Sequence, residues 1–437
     1  MVRKSIDRVA LFLEHVAQHW GLALLLLAML LVFSIEVPAL ASMEARLSRE
    51  LAHDRFDFAG WEIRALWQKL THKLIAPQRY MTERDRRDFV LDHLALVAET
   101  HRVEGQIHRI YADPSIEDAR EATAELRARR EELRRQISTN QPIAEAILEE
   151  QVAWALKTEG FAILGQEIPP VEIHFTPLPR LLVVSPRDTI ESVYQLSLTH
   201  GLGVAEQEAI EEAIDTTFEV SSLITGIGGL AAYPSMLLET SSINWITEVS
   251  AHEWTHHYLL PRPLGREYLA SAETRAINET VATIVGQEIG RKVVARYYPE
   301  HLPPEPEPPP EPEELPEEEE FVEEPPLEPP AFDFRMEMRE TRIWVDDLLA
   351  EGRIEEAEAY MERRRQMFVE QGYPIRKLNQ AYFAFHGAYA AQPGAAGDDP
   401  IGPAVRELFT RSPDLRTFVN RIAGVTTLTE LESVLRD

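Results

Sequence analysis

The decapeptide AHEWTHHYLL, residues 251–260, places His252, Glu253 and His256 in one window. On an α-helix, residues four apart share a face, so the two imidazoles can aim at one ion while Glu253, the next residue along, reaches a water held there. The surrounding stretch SSINWITEVSAHEWTHHYLLPRP (241–263) supplies such a helix. Ser241 and Ser242 are cap candidates, Ile243, Ile246 and Val249 are apolar, and Pro261 is a stop. The pattern predicts a buried helix with a polar window.

A zinc centre of this kind takes three protein ligands and leaves one position for water. The chain contains no cysteine, so any transition metal must be held by histidines and carboxylates. Downstream, SAETRAINETVATIVGQEIG (271–290) reads as a second helix in which Glu279 is the natural third ligand. Glu273, six residues earlier, does not share its face well, and Glu288 stands further from an apolar wall. Gly286 and Gly290, four apart, leave a flat surface on which the two helices can approach closely.

From Ser241 to Gly290 the chain resembles the gluzincins, zinc metallopeptidases with HExxH on one helix and a glutamate on a second, often within an Asn-Glu pair such as Asn278-Glu279. More loosely, KLNQAYFAFHGAYA (377–390) is similar to a later helix of uncharacterised bacterial putative aminopeptidases. The resemblance implies Zn2+ at His252, His256 and Glu279, Glu253 as general base, and a peptide or protein substrate. Two departures stand out. Thr283 occupies the place, four after the ligand glutamate, where thermolysin-like members carry an acidic orienter, so the orienter of one imidazole is unassigned. The Gly-x-Met-Glu-Asn signature of the large aminopeptidases is absent, which leaves endo- and exopeptidase action open.

An oxyanion formed during peptide hydrolysis needs a donor. Asn379, Tyr382, His386 and Tyr389 make a polar stripe on the apolar helix expected at 375–391, and Tyr389, then His386, are the preferred candidates. His257 and Trp254 read as structural. An edge strand in TGIGGLAAYPSM (225–236), with Pro234 on it, would take an extended peptide by strand addition, as the resemblance implies.

Composition sets the frame. At 437 residues with 44% apolar content the chain is long enough for an enzyme. Of its 29 excess negative charges, 12 lie in Glu305–Glu328, and the remainder still excludes the electrostatic footprint of a nucleic-acid binder. Near the N-terminus an apolar run from Trp20 to Phe33, extendable to Ala41, follows Arg3, Lys4 and Arg8. It reads as a single-pass transmembrane anchor with the catalytic part outside the cytoplasm; a cleaved signal peptide ending at Ala39-Leu40-Ala41 is the rival.

Between anchor and motif, helical periodicity around Pro114 predicts a helical hairpin. VEIHFT (171–176) and RLLVVSPR (180–187) read as two strands of one small sheet, with His174 on its solvated face beside Glu172 and Thr176. Residues 302–330, rich in proline and glutamate, read as a disordered insertion, and the rest of the chain as helices.

The expected fold is therefore α+β and predominantly helical. Its divisions are 1–43 (tail and anchor), 44–165 (helical region with hairpin), 166–301 (zincin-like core), 302–330 (insertion) and 331–437 (C-terminal helical lobe). The expected function is a membrane-anchored zinc peptidase. An intramembrane metalloprotease is disfavoured by the charge around residue 252, and the alternative of another class is a catalytically silent helical scaffold that binds partners.

Overall fold

The computed structural model describes residues 43–112, 115–116, 118–303, 332–387 and 400–436. The chain divides into two compact units, 1–54 and 55–437. In the first, helix α1 (Met43–Glu50) is described. The single-pass membrane placement needs correction: among the described residues no helix is long and apolar enough to cross a membrane. The run Trp20–Phe33 that suggested it lies outside the described residues, as does nearly all of the Pro/Glu-rich stretch.

The second unit is mostly helical with small sheets, an α+β arrangement. It opens with α2 (Phe58–Ile75), followed by α3 (Glu83–Ala112) and α4 (Ala124–Thr158). The last two form the expected hairpin. Val90 and Leu94 of α3 share a core with Ile147 and Leu148 of α4, and Val103 and Ile107 pack with Leu133. The antiparallel register is read from the ion pairs Arg86–Glu150 near one end and Glu104–Arg134 near the other.

Two three-stranded sheets follow. Strands β1 (Ile173–Phe175), β2 (Arg180–Pro186) and β3 (Tyr194–Leu198) precede helix α5 (Val204–Phe218), and β4 (Val220–Thr225), β5 (Gly229–Leu230) and β6 (Ser235–Leu237) come after it. Their order corrects the single-sheet expectation. β2 is central to an antiparallel sheet β3-β2-β4, whereas β1 pairs in parallel with β6, which pairs antiparallel with β5. Pro177 and Pro179 thus separate two sheets. Pro234 precedes the central strand β6, while β1 and β5 are the two edges.

The face of β1 expected to meet solvent is covered by α2 and α4. Ile173 N–H donates to Glu149 (2.9 Å) and Phe175 N–H to Glu145 (2.8 Å). The match is geometric: four residues of helix rise about 6 Å and two residues of strand about 6.6 Å, so an i,i+4 carboxylate pair caps successive outward N–H groups of a strand edge. Lys69 of α2 bridges both carboxylates at 2.6 and 2.7 Å, Lys73 pairs with the buried Glu172, and His174 Nδ1 lies 3.1 Å from Glu145. Burial alone would raise the Glu145 carboxyl, but Lys69 and His174 outweigh it and hold the group down to about 2. Because its folded value lies below the ordinary 4.5, the stability it contributes is present above that value and is lost as pH falls through about 2.

Lys69→Met removes the cation that two buried carboxylates share, and about 3–5 kcal/mol of stability should be lost at neutral pH. The deficit should shrink as pH falls, because uncompensated burial favours the protonated acids. Denaturant melts at several pH values check this; a neutral effect at pH 7 would mean that the cluster does not hold α2 and α4 to the sheet.

Helices α6 (Ile243–Leu259) and α7 (Ala272–Tyr297) pack on each other and form the centre of the largest core. The close approach comes from the two glycines. A Cβ at Gly286 would stand 2.8 Å from the Glu248 carbonyl oxygen and 3.2 Å from His252 Cβ, and one at Gly290 would stand 2.9 Å from the Glu248 backbone. After the acidic stretch, α8 (Phe334–Ala350), α9 (Ile354–Glu370) and α10 (Gln380–Gly387) build a second cluster with Val345, Met361, Phe368 and Phe383. Helices α11 (Ile401–Arg411), α12 (Leu415–Ile422) and α13 (Leu428–Arg436) instead join the α6/α7 core through Val405, Phe418 and Leu431.

Candidate metal centre

Ser242 caps α6 by accepting from Trp245 N–H, and Ser271 caps α7 by accepting from Thr274 N–H. Trp254 anchors the underside of α6 by donating its indole N–H to Pro169 O at 2.7 Å, and its ring is buried, as expected of a structural residue. His257 is structural too. Its Nε2 donates to Ala231 O at 3.1 Å, tying α6 to the segment after β5, and burial pulls its pKa down to about 4.

With these faces fixed, His252 and His256 turn toward α7 and meet Glu279, and the three side chains form a group able to hold a metal ion. His252 Nε2 and His256 Nε2 lie 3.1 Å apart, His252 Nε2 is 3.4 Å from Glu279 Oε2, and His256 Nε2 is 3.8 Å from Glu279 Oε1. Bonds of about 2.0–2.1 Å to a tetrahedral ion require ligand atoms about 3.4 Å apart. The two Glu279 distances run to different carboxylate oxygens; with one ligand atom from each residue, the three lie within 4.8 Å of one another, and a set of two imidazoles and one carboxylate suits a four-coordinate zinc with one open position. Glu273 and Glu288 are elsewhere: Glu273 accepts from Leu428 N–H, and Glu288 pairs with Arg291.

The orienter that the sequence left unassigned is Asn278. Its Nδ2 donates to Leu264 O at 3.0 Å, which turns Oδ1 toward His256 Nδ1 at 2.7 Å. His256 Nδ1 must then be the donor, and Nε2 keeps its lone pair for an ion. A second residue absent from the sequence reading is Tyr268, whose hydroxyl donates to Glu279 Oε1 at 2.5 Å while its ring lies 5.9 Å from that of His256. Asn278 could have been suspected from the Asn-Glu pair. Nothing in the sequence marks Tyr268, which stands in the connection between the two helices.

Glu253 is buried against the edge strand, where a Cβ at Gly229 would collide with its carboxylate. Burial, reinforced by Glu279 and opposed by His252, pushes its carboxyl up to about 7. For Glu279, burial pulls upward, but His256, His252 and Tyr268 prevail and hold it at about 2. One carboxylate is thus kept charged while the other, close by, is pushed toward neutrality.

Of the two proposed oxyanion donors, only His386 is among the described residues, and it is not joined to this group. Tyr389 lies outside the described residues. His386 packs on the rings of Tyr382 and Phe385, and burial lowers its pKa to about 4. Its helix, α10, sits on β2 and β4 through Ala381 and Phe385, and no hydrogen bond joins His386 to a ligand of the group. Asn379 caps α10 by accepting from Tyr382 N–H and donates to Ser222 O.

Compared with known protein families, with curated proteins and with solved structures, the chain finds no match.

Tyr268→Phe removes one donor to Glu279 and little volume. Zinc affinity should fall by about 10- to 100-fold, the range for losing an outer hydrogen bond to a ligand. Competition with a chromogenic chelator measures it; unchanged affinity would show that the phenol does not support the carboxylate.

Proposed function

We propose that this chain is a zinc-dependent peptidase that hydrolyses peptide bonds with an activated water. The observation that carries the reading is the convergence of two imidazoles and a carboxylate within 4.8 Å of one another, with a buried glutamate whose carboxyl is pushed up to about 7 in the adjoining position of the same helix. A zincin-type pair of helices is the corresponding finer description of α6 and α7.

Zinc, when bound, supplies the Lewis acidity that lets water lose a proton near neutral pH. The residues of the chain do the rest. Asn278 sets the tautomer of His256, and Tyr268 holds Glu279 in place. Glu253 accepts the proton on its carboxylate and returns it to the leaving amine, a role that suits a carboxyl pushed up to about 7. β5 is one of the two outer strands of its sheet and adjoins Glu253, so its backbone offers an edge along which an extended peptide can pair.

Metal analysis of the full chain together with a mixed peptide library, product masses read out, tests the proposal. One zinc per chain and discrete peptide products are expected. A chain that binds no zinc, or binds it and cleaves nothing, would leave the helical scaffold as the better reading.

A further inference from the structure

The first turns of α7 hold a cation with no ion-pair partner among the described residues. Arg275 stands four residues before Glu279, on the same helix face and about 6 Å away along the axis. It is 5% exposed, its Nε has no hydrogen-bond partner, and no ion pair joins it to a carboxylate among the described residues. Its guanidinium lies 5.9 Å from the centroid of the Tyr268 ring, the same tyrosine that donates to Glu279. Removing a guanidinium from water without an anion is costly, and a cation–π contact at that range recovers only part of the loss. The other buried cation described above, Lys69, is by contrast closed by two glutamates. Arg275 is held ready by Tyr268 and left open.

We propose that Arg275 is an anion-binding element beside the His252/His256/Glu279 group and receives a carboxylate of the substrate. The position of that carboxylate relative to the reacting bond rests on the peptidase reading. Guanidinium is the side chain suited to this task, because its planar fork presents two parallel N–H donors to the two oxygens of a carboxylate. A step of about 6 Å from Glu279 corresponds to about two residues of extended peptide at 3.3–3.6 Å each. The carboxylate is therefore either the C-terminal group of a short peptide or an Asp or Glu side chain within about two residues of the bond that breaks. The substrate class is acidic at one end of the scissile region.

Calorimetric binding to the full chain, zinc-loaded and carrying Glu253→Gln, separates the two sources. The probes are Ala-Ala-Ala with a free C-terminus, the same peptide amidated, and amidated Ala-Ala-Asp. The free acid or the aspartyl peptide should bind on the order of tenfold to a hundredfold more tightly than the plain amide, the worth of one charge-assisted pair. Arg275→Gln should level all three. Equal affinity of the three peptides for the Arg275 protein overturns the inference while leaving zinc chemistry intact. Should Arg275→Gln not fold, Arg275→Lys keeps the stem and charge but not the fork, and the discrimination should narrow; full discrimination in that variant counts against Arg275.

A second measurement does not depend on peptide binding. Sodium acetate, against sodium chloride at equal ionic strength, should raise the Tm of the full chain and leave that of Arg275→Gln or Arg275→Lys less affected. No acetate-specific rise in the parent protein overturns the anion site, whereas a rise without any zinc uptake would sink the peptidase reading and keep the site.

Discussion

Glu253→Gln should keep its zinc and lose turnover by about 10²- to 10⁴-fold, the usual contribution of a positioned general base. The amide has the shape of the carboxylate, and shape matters here because Glu253 is wedged against Gly229, where even a Cβ would not fit. The helix and the three ligands are therefore undisturbed. What disappears is the capacity to accept a proton, in a group that burial and Glu279 push up to about 7 against the pull of His252. Zinc content by metal analysis and kcat with a peptide found in the library screen decide it. Parental kcat in the amide variant would remove Glu253 from the mechanism, and loss of zinc would mean that it serves the metal instead.

What the sequence made legible at this site is what helical spacing alone determines. His252, His256 and Glu253 lie within five residues, so any helix over 243–259 sets the two imidazoles on one face with Glu253 beside them. Gly286 and Gly290 announced a close helix contact, and they face Glu248 and His252 as that reading required. Glu279 could be chosen over Glu273 and Glu288 because only one face of α7 can look at α6.

The contacts that depend on folding were not legible. Asn278 reaches back 22 residues to His256, and its own orientation comes from the carbonyl of Leu264, which no local pattern specifies. The pairing of β1 with β6 skips four intervening strands, so VEIHFT and RLLVVSPR looked adjacent in space because they are adjacent in sequence. His174 and Glu172 looked solvated because alternation shows that one face is polar, not what covers it. Here Lys69, Lys73 and the carboxylates of α4 cover it with charge of their own. Within the expected stripe, the polarity of Asn379 has a structural reason that the sequence did not show: it caps α10 and ties it to β4 through backbone contacts.

Glu279→Ala should lose zinc, with affinity lowered by at least about a hundredfold, because two imidazoles alone do not complete a cage for this ion. His252→Ala and His256→Ala should behave alike. The glutamate is the more informative case, since it comes from the second helix and its removal tests whether α6 and α7 meet as described. Zinc should raise the Tm of the parent protein, by linkage worth about 4 kcal/mol at a thousandfold excess over Kd, and should leave Glu279→Ala nearly unmoved. Glu273→Ala is the internal control: its carboxylate serves Leu428 N–H, so this variant should bind zinc like the parent. Should Glu273→Ala lose the metal and Glu279→Ala keep it, the third ligand is wrong. Should both keep it, the ion is held by the histidines with a donor from elsewhere. Glu279 would then be a buried carboxylate held at about 2 by two imidazoles and a phenol, an ion cluster of the same kind as the one at Lys69.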